Sequence, residues 1–244
     1  MITSLLFFPS NNIWRTPVDL GLAYEDISVT TKDGVNLHGW YLPAHKPKYT
    51  LLFLHGNAGN VCDRLEKAKG WIDRNVSVLL IDYRGFGKSE GKIQSETDLY
   101  LDGQAGYQWL INKGIKPENI LIYGESIGSS PALDLANSEP VKGVILEGAF
   151  SSLQDMAKKH YFPVPDFLVG NFKFDNRGKI KTLKVPVFFI HGSGDEICPI
   201  EMSRELYDTA AARKEYLTLQ GAGHNDTYSG EFKEMFEKPL AFFE

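Results

Sequence analysis

Residues 120–136 read Ile120-Leu-Ile-Tyr-Gly124-Glu125-Ser126-Ile127-Gly128-Ser-Ser-Pro-Ala-Leu-Asp-Leu-Ala136 and contain the pattern Gly-x-Ser-x-Gly. The apolar run before the pattern predicts a buried strand, and the residues after it predict a helix. A sharp turn between the two would hold the serine oxygen at the helix N-terminus, where backbone N–H groups favour developing negative charge. The pattern alone is common, and its specificity comes from the strand and helix around it. We therefore predict that Ser126 is a nucleophile; an ordinary glycine-rich turn is the alternative.

Short apolar runs recur along the chain without polar alternation, at residues 51–54, 76–81, 120–123, 141–146 and 187–190. Strands of this kind are covered on both faces, which is typical of a parallel sheet between helices. Helical patterns fall between or after the runs, at 96–112 with Ser95 as its cap, at 200–213 and at 230–242. The sequence thus predicts an α/β fold.

The chain opens differently, with two strands at 24–31 and 36–42 that flank Lys32-Asp33-Gly34-Val35. Asp-Gly is a strong signal for a two-residue hairpin turn. We therefore expect an antiparallel N-terminal hairpin on a mostly parallel sheet.

Polar and small residues follow the predicted strands, at 55–57, 82–85, 124–126, Glu147 and 191–195. Because ligands of such sheets bind beyond the carboxyl ends of the strands, these residues form a shortlist for the site.

A serine hydroxyl needs a base, and the base should follow it in the chain. His224 is our candidate because it lies in a glycine-containing loop between the final strand (216–219) and the last helix. His191 and His55 end strands and are expected to be structural. His160 is the rival candidate.

The acid that orients the imidazole should follow a strand end. Asp195, just after the strand at 187–190, is the first candidate, and Glu147 at the previous strand end is the second. The neighbouring Glu196 is expected to point elsewhere. A turn-forming carboxylate is the plain alternative for Asp195.

The oxyanion of a tetrahedral intermediate needs two backbone donors, one of them from the residue after the nucleophile. That residue is Ile127. The second donor is expected from the turn His55-Gly-Asn-Ala-Gly-Asn60, with Asn57 as first choice.

Several motifs in the same order resemble the α/β-hydrolase superfamily, in the branch of small serine hydrolases related to prolyl-oligopeptidase and serine-aminopeptidase domains. They are His55-Gly-Asn-Ala-Gly-Asn60, Asp82-Tyr-Arg-Gly-Phe-Gly-Lys-Ser-Glu-Gly91, Gly124-Glu-Ser-Ile-Gly128, His191-Gly-Ser-Gly-Asp-Glu196 and Gly223-His224. The resemblance implies an eight-stranded sheet, a triad of Ser126, Asp195 and His224, and oxyanion donors at Asn57 and Ile127.

Where many relatives insert a large cap, this chain has only a short stretch at 150–186, rich in aromatic residues. It is interpreted either as a small apolar lid over an acyl pocket or as surface helices on the sheet. We expect one domain spanning residues 1–244, with 150–186 as a short cap.

Composition excludes several classes of protein. A net charge of −5 argues against a nucleic-acid surface. Two cysteines, Cys62 and Cys198, are expected to be reduced thiols. The first nine residues lack the features of a signal peptide or membrane span, so a cytoplasmic location is expected unless the chain derives from a longer anchored form.

Cofactor motifs fail on inspection. Gly87-Lys88-Ser89 lacks the first glycine of a phosphate-binding loop, because Asp82 stands in its place. No zinc-ligand spacing occurs in the sequence. We therefore expect no cofactor or metal.

The sequence predicts hydrolysis of a small-molecule ester, thioester or amide through an acyl-enzyme, with a carboxylesterase as the leading interpretation. A protein-lipid thioesterase or a serine peptidase would use the same residues. A non-catalytic binding module on a hydrolase scaffold is the alternative from another class. The natural substrate and oligomeric state stay open.

Overall fold

The main sheet has eight strands, and the computed structural model describes residues 6–160 and 170–244 of the chain. The described strands are β1 (Phe8–Pro9), β2 (Glu25–Thr30), β3 (Asn36–Leu42), β4 (Thr50–Leu54), β5 (Ala58–Gly59), β6 (Ser77–Ile81), β7 (Ile120–Glu125), β8 (Gly143–Glu147), β9 (Val187–Gly192) and β10 (Lys214–Leu219). The order across the main sheet is β10-β9-β8-β7-β4-β6-β3-β2, while β1 and β5 form a separate parallel ribbon. Only the β2–β3 and β3–β6 pairs of the main sheet are antiparallel. The predicted mixed, mostly parallel sheet is confirmed.

Helices cover both faces of this sheet. They are α1 (Leu65–Ile72), α2 (Glu96–Asn112), α3 (Ser129–Ser138), α4 (Leu153–His160), α5 (Asn176–Thr182), α6 (Ile200–Thr209) and α7 (Glu234–Phe243). Successive strand residues point to opposite faces, so Leu52 and Leu54 join one apolar cluster while Leu51 and Phe53 join another. The first cluster includes buried side chains of α2, α3, α5 and α6, and the second includes those of α1 and α7. This two-sided burial explains why the strands read as unbroken apolar runs.

The turn of the β2–β3 hairpin differs from the prediction. The loop runs from Thr31 to Val35, and the Gly34 N–H donates to the Thr31 carbonyl at 2.9 Å. Gly34 has a φ of +87°, whereas Asp33 has no positive φ. A two-residue type I′ turn needs positive φ at both central residues, so the expected two-residue turn is wrong.

The predicted helix boundaries are partly wrong. Helix α2 begins after Ser95 as expected, and the Ser95 N–H donates to the Asp98 carboxylate at 2.9 Å. Helix α6 stops at Thr209 rather than 213, because Lys214 donates to the carbonyl oxygens of Tyr207 (2.6 Å) and Ala210 (2.8 Å) and starts β10. Helix α7 begins only at Glu234, four residues later than expected.

The segment 150–186 includes α4 and α5, while the predicted lid residues at 161–169 lie outside the described residues. Phe172 and Phe174 are buried, and Phe174 packs edge-on against Phe150 with ring centroids 6.4 Å apart. Asn176 ties α5 to the core by donating to the Phe150 carbonyl at 2.9 Å. The described aromatic side chains therefore pack on the body of the protein, and the division into one domain with a short cap stays a prediction.

None of the helices in the described ranges has the length and apolar character needed to cross a membrane.

Candidate active site

The turn between β7 and α3 carries Ser126, whose φ is +53°. A side chain at Gly128 would overlap the carbonyl oxygen of Leu54, and one at Gly124 would lie 2.7 Å from the Gly128 oxygen. Gly128 is therefore required by close approach of the turn to the end of β4, and Gly124 by close approach of β7 to the start of α3. The strained backbone places Ser126 at the carboxyl edge of the sheet.

Ser126 opens onto a cavity of about 200 Å³. Its wall includes the apolar residues Leu6, Ala58, Ile127, Phe150, Leu153, Met156, Ile197 and Cys198, and also Gly56, Asn57, Arg64, Glu125, His224 and Asn225. Both of the two oxyanion candidates, Asn57 and Ile127, therefore lie around the same space as Ser126 and His224.

His224 and Asp195 form a close pair, with His224 Nδ1 2.7 Å from Asp195 Oδ2. The Asp195 Oδ1 atom accepts the N–H groups of Ile197 (2.9 Å) and Cys198 (2.8 Å). Burial alone would raise the pKa of Asp195, but hydrogen bonds from His191 and His224 outweigh it and lower the pKa well below its usual range. The carboxylate is thus held ionised behind the His224 ring.

The Ser126 hydroxyl is not hydrogen-bonded to the His224 imidazole in the described residues. Its Oγ atom lies 3.9 Å from Cys198 Sγ, and within the described residues no direct hydrogen bond joins Ser126 and His224. Such hydrogen bonds are often long in ligand-free enzymes and tighten in the substrate complex.

Gly148, the residue after β8, packs against the His–Asp pair. A side chain there would lie 3.1 Å from His224 Cε1 and 3.6 Å from Asp195 Oδ2, and its φ is +56°. The absence of a side chain at this position makes room for the imidazole.

The rival acids lie elsewhere. Glu147 is buried and binds Lys67 Nζ at 2.7 and 2.9 Å, and it also accepts the hydroxyls of Tyr123 and Thr227. Glu196 is exposed. Of the carboxylates proposed from the sequence, the structure brings Asp195 to His224.

The other histidines differ in their surroundings. His191 Nε2 contacts the Cys198 carbonyl at 2.8 Å and Asp195 Oδ2 at 3.3 Å, so it supports the acid from behind. His55 is buried and its Nδ1 contacts the Gly56 carbonyl at 2.7 Å. The side chain of His160 lies outside the described residues.

The turn after β4 is held from several sides. The Gly56 N–H donates to Glu125 Oε2 at 3.1 Å, and the Asn57 carbonyl accepts the Phe8 N–H at 2.9 Å. The Asn57 side chain donates to the Leu6 carbonyl at 2.8 Å. In the part of the chain that the structure describes, the Asn57 N–H has no hydrogen-bond acceptor.

A buried charge network beneath Ser126 was missed by the sequence analysis. Glu125 binds Arg64 Nε and Lys67 Nζ, each at 2.8 Å, and Lys67 continues to Glu147. Burial alone would lower the pKa of Lys67, but attraction to Glu125 and Glu147 raises it above its usual value. Glu125 is visible within the motif, whereas no sequence pattern marks Lys67, because its burial follows only from the packing of α1.

Cys62 and Cys198 are both buried free thiols. Across residues 6–160 and 170–244, no group of three or more His, Cys, Asp or Glu side chains is arranged to hold a metal ion.

The sequence of this chain is similar to those of a known protein family. The model of the family described as Hydrolase_4, serine aminopeptidase S33, matches residues 45–181. Protein bem46 of Schizosaccharomyces pombe is 34% identical over 232 residues, covering 88% of this chain and 76% of that protein. An uncharacterized protein of Mycobacterium tuberculosis, Rv2307c, is 34% identical over 227 residues, covering 91% of this chain and 80% of that protein.

Solved structures share the fold. The Pyrococcus furiosus esterase Pf2001 has a TM-score of 0.80 at 22% identity, with 97% of this chain and 96% of that chain covered. The Pyrococcus horikoshii acylaminoacyl peptidase has a TM-score of 0.70 at 16% identity, covering 91% of this chain and 41% of that chain. The chain therefore belongs to the serine aminopeptidase S33 family of the α/β-hydrolase superfamily and is a hydrolase.

Proposed function

We propose that this hydrolase cleaves carboxylic esters through an acyl-enzyme formed on Ser126, with His224 as the base and Asp195 as the acid that orients it. The observation that carries the proposal is that Ser126, in its strained turn, and His224, paired with Asp195, line one cavity. Because the His224 Nδ1–H donates a hydrogen bond to Asp195, the Nε2 atom is left to accept a proton.

The reaction then runs in two halves. Ser126 Oγ attacks the carbonyl carbon while His224 Nε2 takes the hydroxyl proton, and the carbonyl oxygen becomes an oxyanion. When the tetrahedral intermediate collapses, the bond to the alcohol oxygen breaks and His224 returns the proton to it. Water repeats the sequence on the acyl-enzyme, which releases the carboxylic acid and restores the hydroxyl of Ser126.

The oxyanion would be bound by the N–H groups of Ile127 and Asn57. The Gly56 carbonyl oxygen accepts a hydrogen bond from Nδ1 of the buried His55 ring at 2.7 Å. Since C=O and N–H point in opposite directions across a planar trans peptide, the Asn57 N–H points away from that ring. This orientation, and the absence of an acceptor in the described residues, support Asn57 as a donor.

Two features of the cavity favour an uncharged ester. Leu6, Phe150, Leu153 and Met156 supply an apolar wall suited to an acyl chain. Glu125 is the only carboxylate among the described lining residues, and it is already paired with two cations. A free carboxylate to bind the ammonium group of a peptide N-terminus is therefore lacking among those residues.

A protein-lipid thioesterase would use the same triad and apolar wall, and a serine peptidase would use the same triad. The alternative from another class is a binding module that does not turn over substrate.

The test combines covalent labelling with a substrate panel. A fluorophosphonate probe should label the wild-type protein promptly, and Ser126→Ala should abolish the label. Esters of rising acyl length, matched thioesters and aminoacyl amides should give turnover of short or medium acyl esters first. His224→Ala should lower kcat/KM by at least ~10³-fold.

The matched control is His45→Ala, because His45 is exposed and lies outside the cavity. We expect its kcat/KM to stay within about twofold of wild type, as for surface substitutions. A folded wild-type protein that resists the probe would support the binding module, and a near-normal rate in His224→Ala would reassign the base.

A further inference from the structure

We propose that His55 is a positioning residue for the oxyanion site, acting through the peptide group that joins Gly56 to Asn57. The inference rests on the proposed function and adds a side chain that its mechanism leaves out.

The location of His55 fits this role. It follows β4 directly, its ring is fully buried, and it packs against the rings of Tyr83 and Phe86 with centroids 4.6 and 5.2 Å away. The ring is therefore fixed by packing. It does not line the cavity, so it cannot touch the substrate.

The contact of the ring with its own loop is short. His55 Nδ1 lies 2.7 Å from the Gly56 carbonyl oxygen, and because a carbonyl only accepts, Nδ1 must carry the proton. Donation to this oxygen fixes the plane of the Gly56–Asn57 peptide. It also draws electron density toward the oxygen, which strengthens the N–H at the other end as a donor. That N–H belongs to Asn57.

A buried carboxylate stands on the far side of the ring. His55 Nε2 lies 3.5 Å from Asp82 Oδ1, which also accepts the Val61 N–H at 2.9 Å. Burial alone would raise the pKa of Asp82, but the neighbouring His38 and His55 rings and the Val61 N–H outweigh it and lower the pKa. Within the described residues His55 Nε2 has no hydrogen-bond partner, so the hydrogen bond that the ring makes is the one from Nδ1 to the Gly56 carbonyl.

The other side of Gly56 is already held, since its N–H donates to Glu125 at 3.1 Å. The peptide before Gly56 is thus held by Glu125, and the peptide after it by His55. Only the second peptide carries the N–H of Asn57, so His55 is the side chain expected to act on the transition state.

The experiment compares His55→Phe with His55→Asn. Phenylalanine fills the space without a donor, whereas the asparagine amide can place an N–H close to the position of Nδ1. In wild type and variants we would measure kcat and KM for the best ester of the panel. We would also measure Ki for a trifluoromethyl ketone that forms an oxyanion adduct, with active sites counted by fluorophosphonate titration to completion.

We expect His55→Phe to lower kcat by about 10²-fold, near the loss seen when an oxyanion donor is removed. KM should stay within about twofold, and Ki for the ketone should rise in proportion to the fall in kcat. His55→Asn should recover about tenfold of the lost kcat, because a neutral donor restores part of the effect.

Tyr83→Phe is the matched control. It removes a different hydrogen bond of the same loop, from the Tyr83 hydroxyl to the His55 carbonyl at 3.1 Å. Its kcat should stay within about threefold of wild type, as expected for loss of one ordinary hydrogen bond.

Three outcomes would overturn the role of His55: wild-type kcat in titrated His55→Phe, no recovery in His55→Asn, or an equal loss in Tyr83→Phe. In each of these cases the wild type would still label at Ser126 and hydrolyse esters. A wild type that neither labels nor turns over would instead defeat the proposed function.

Discussion

Ser126 has an unfavourable backbone conformation that close packing of the surrounding backbone stabilises. Its left-handed backbone, with φ at +53°, costs of order 1–3 kcal/mol for a non-glycine residue. The flanking Gly124 and Gly128 allow the surrounding backbone to come close enough to hold this conformation. The turn therefore keeps its strain only because the neighbouring positions have no side chains.

Gly128→Ala should damage both stability and activity. The new methyl group would overlap the Leu54 carbonyl oxygen, which is backbone and cannot rotate away. We expect a loss of about 3 kcal/mol in the free energy of unfolding, at the upper end for overpacking, and a large fall in kcat of the protein that still folds. Urea unfolding and titrated ester kinetics measure the two effects.

Gly230→Ala is the control for that substitution. No atom lies within 4 Å of a side chain at Gly230, and its φ is outside the left-handed region. Its free energy of unfolding should change by no more than about 1 kcal/mol, in the stabilising direction if at all. Equal losses of unfolding free energy in the two variants would show that close packing at Gly128 is not the cause of the destabilisation.

At the scale of elements, helix α1 connects the parts of the site through a single side chain. Lys67 lies between Glu125 at the end of β7 and Glu147 at the end of β8, and Glu147 also accepts the hydroxyl of Thr227 in the His224 loop. A buried ionic network of this kind is weak evidence for stability, since desolvation offsets most of the attraction. Its consequence is that the two strand ends and the His224 loop keep fixed relative positions.

Lys67→Met should lower the free energy of unfolding by about 3–5 kcal/mol, because it leaves the buried Glu147 carboxylate without a cationic partner. The double variant Lys67→Met/Glu147→Gln should recover at least half of this loss, since one negative charge is removed with the positive one. Urea unfolding of both variants provides the measurement.

Lys69→Met is the matched control, two positions along the same helix. Lys69 forms a partly exposed ion pair with Asp73 at 2.7 Å, and such pairs contribute about 0–1 kcal/mol. A loss in Lys67→Met no larger than in Lys69→Met would contradict the importance of the buried network.

At the scale of the whole molecule, several carboxyl groups make folding sensitive to acid. Hydrogen bonds from Arg84 and Thr31 lower the pKa of Asp33 from 3.8 to about 2, and the pKa values of Asp195, Asp82 and Asp155 are also lowered. A carboxyl with a lowered folded-state pKa stabilises the protein above its unfolded-state pKa, and this stabilisation is lost as pH falls through the folded-state value.

The free energy of unfolding should therefore decrease as pH is lowered from about 5 to about 3. Asp155→Asn, which loses the ion pair with Arg177 at 2.8 Å, should be less stable than wild type at pH 7. This difference should narrow as pH falls below about 4, the ordinary unfolded-state pKa of an aspartate, toward the lowered folded-state pKa of Asp155. Urea unfolding at several pH values checks both points, and a constant difference across the range would contradict them.

The sheet and the positions of its polar ends could be predicted because the signals are local. Each strand is a short apolar run, and Ser126 stands between two glycines next to a strand. The turn at Asp33-Gly34 and the end of α6 depended instead on contacts from outside the local pattern, such as the Lys214 ammonium on the last carbonyls of the helix.

Which of the candidate carboxylates contacts His224 was harder to predict. Glu147 and Asp195 both follow strand ends, and only the folded chain shows that Asp195 meets His224 while Glu147 turns to Lys67. Lys67 has the sequence surroundings of an ordinary surface lysine on a helix. Its contact with two buried carboxylates depends on how α1 packs, which no local pattern indicates.

The short β1–β5 ribbon has a practical consequence for handling the protein. Strand β1 pairs with the loop that follows β4, where the Ser10 N–H donates to the Gly59 carbonyl at 3.0 Å. This pairing places Leu6 in the cavity wall. A bulky group attached at Leu6 would therefore lie beside the cavity that Ser126 and His224 line. At the opposite edge of the sheet, the Tyr49 hydroxyl donates to the Phe243 carbonyl at 2.8 Å, next to Glu244. Immobilisation or tagging through Glu244 would leave this cavity unobstructed, since Glu244 is not among its lining residues.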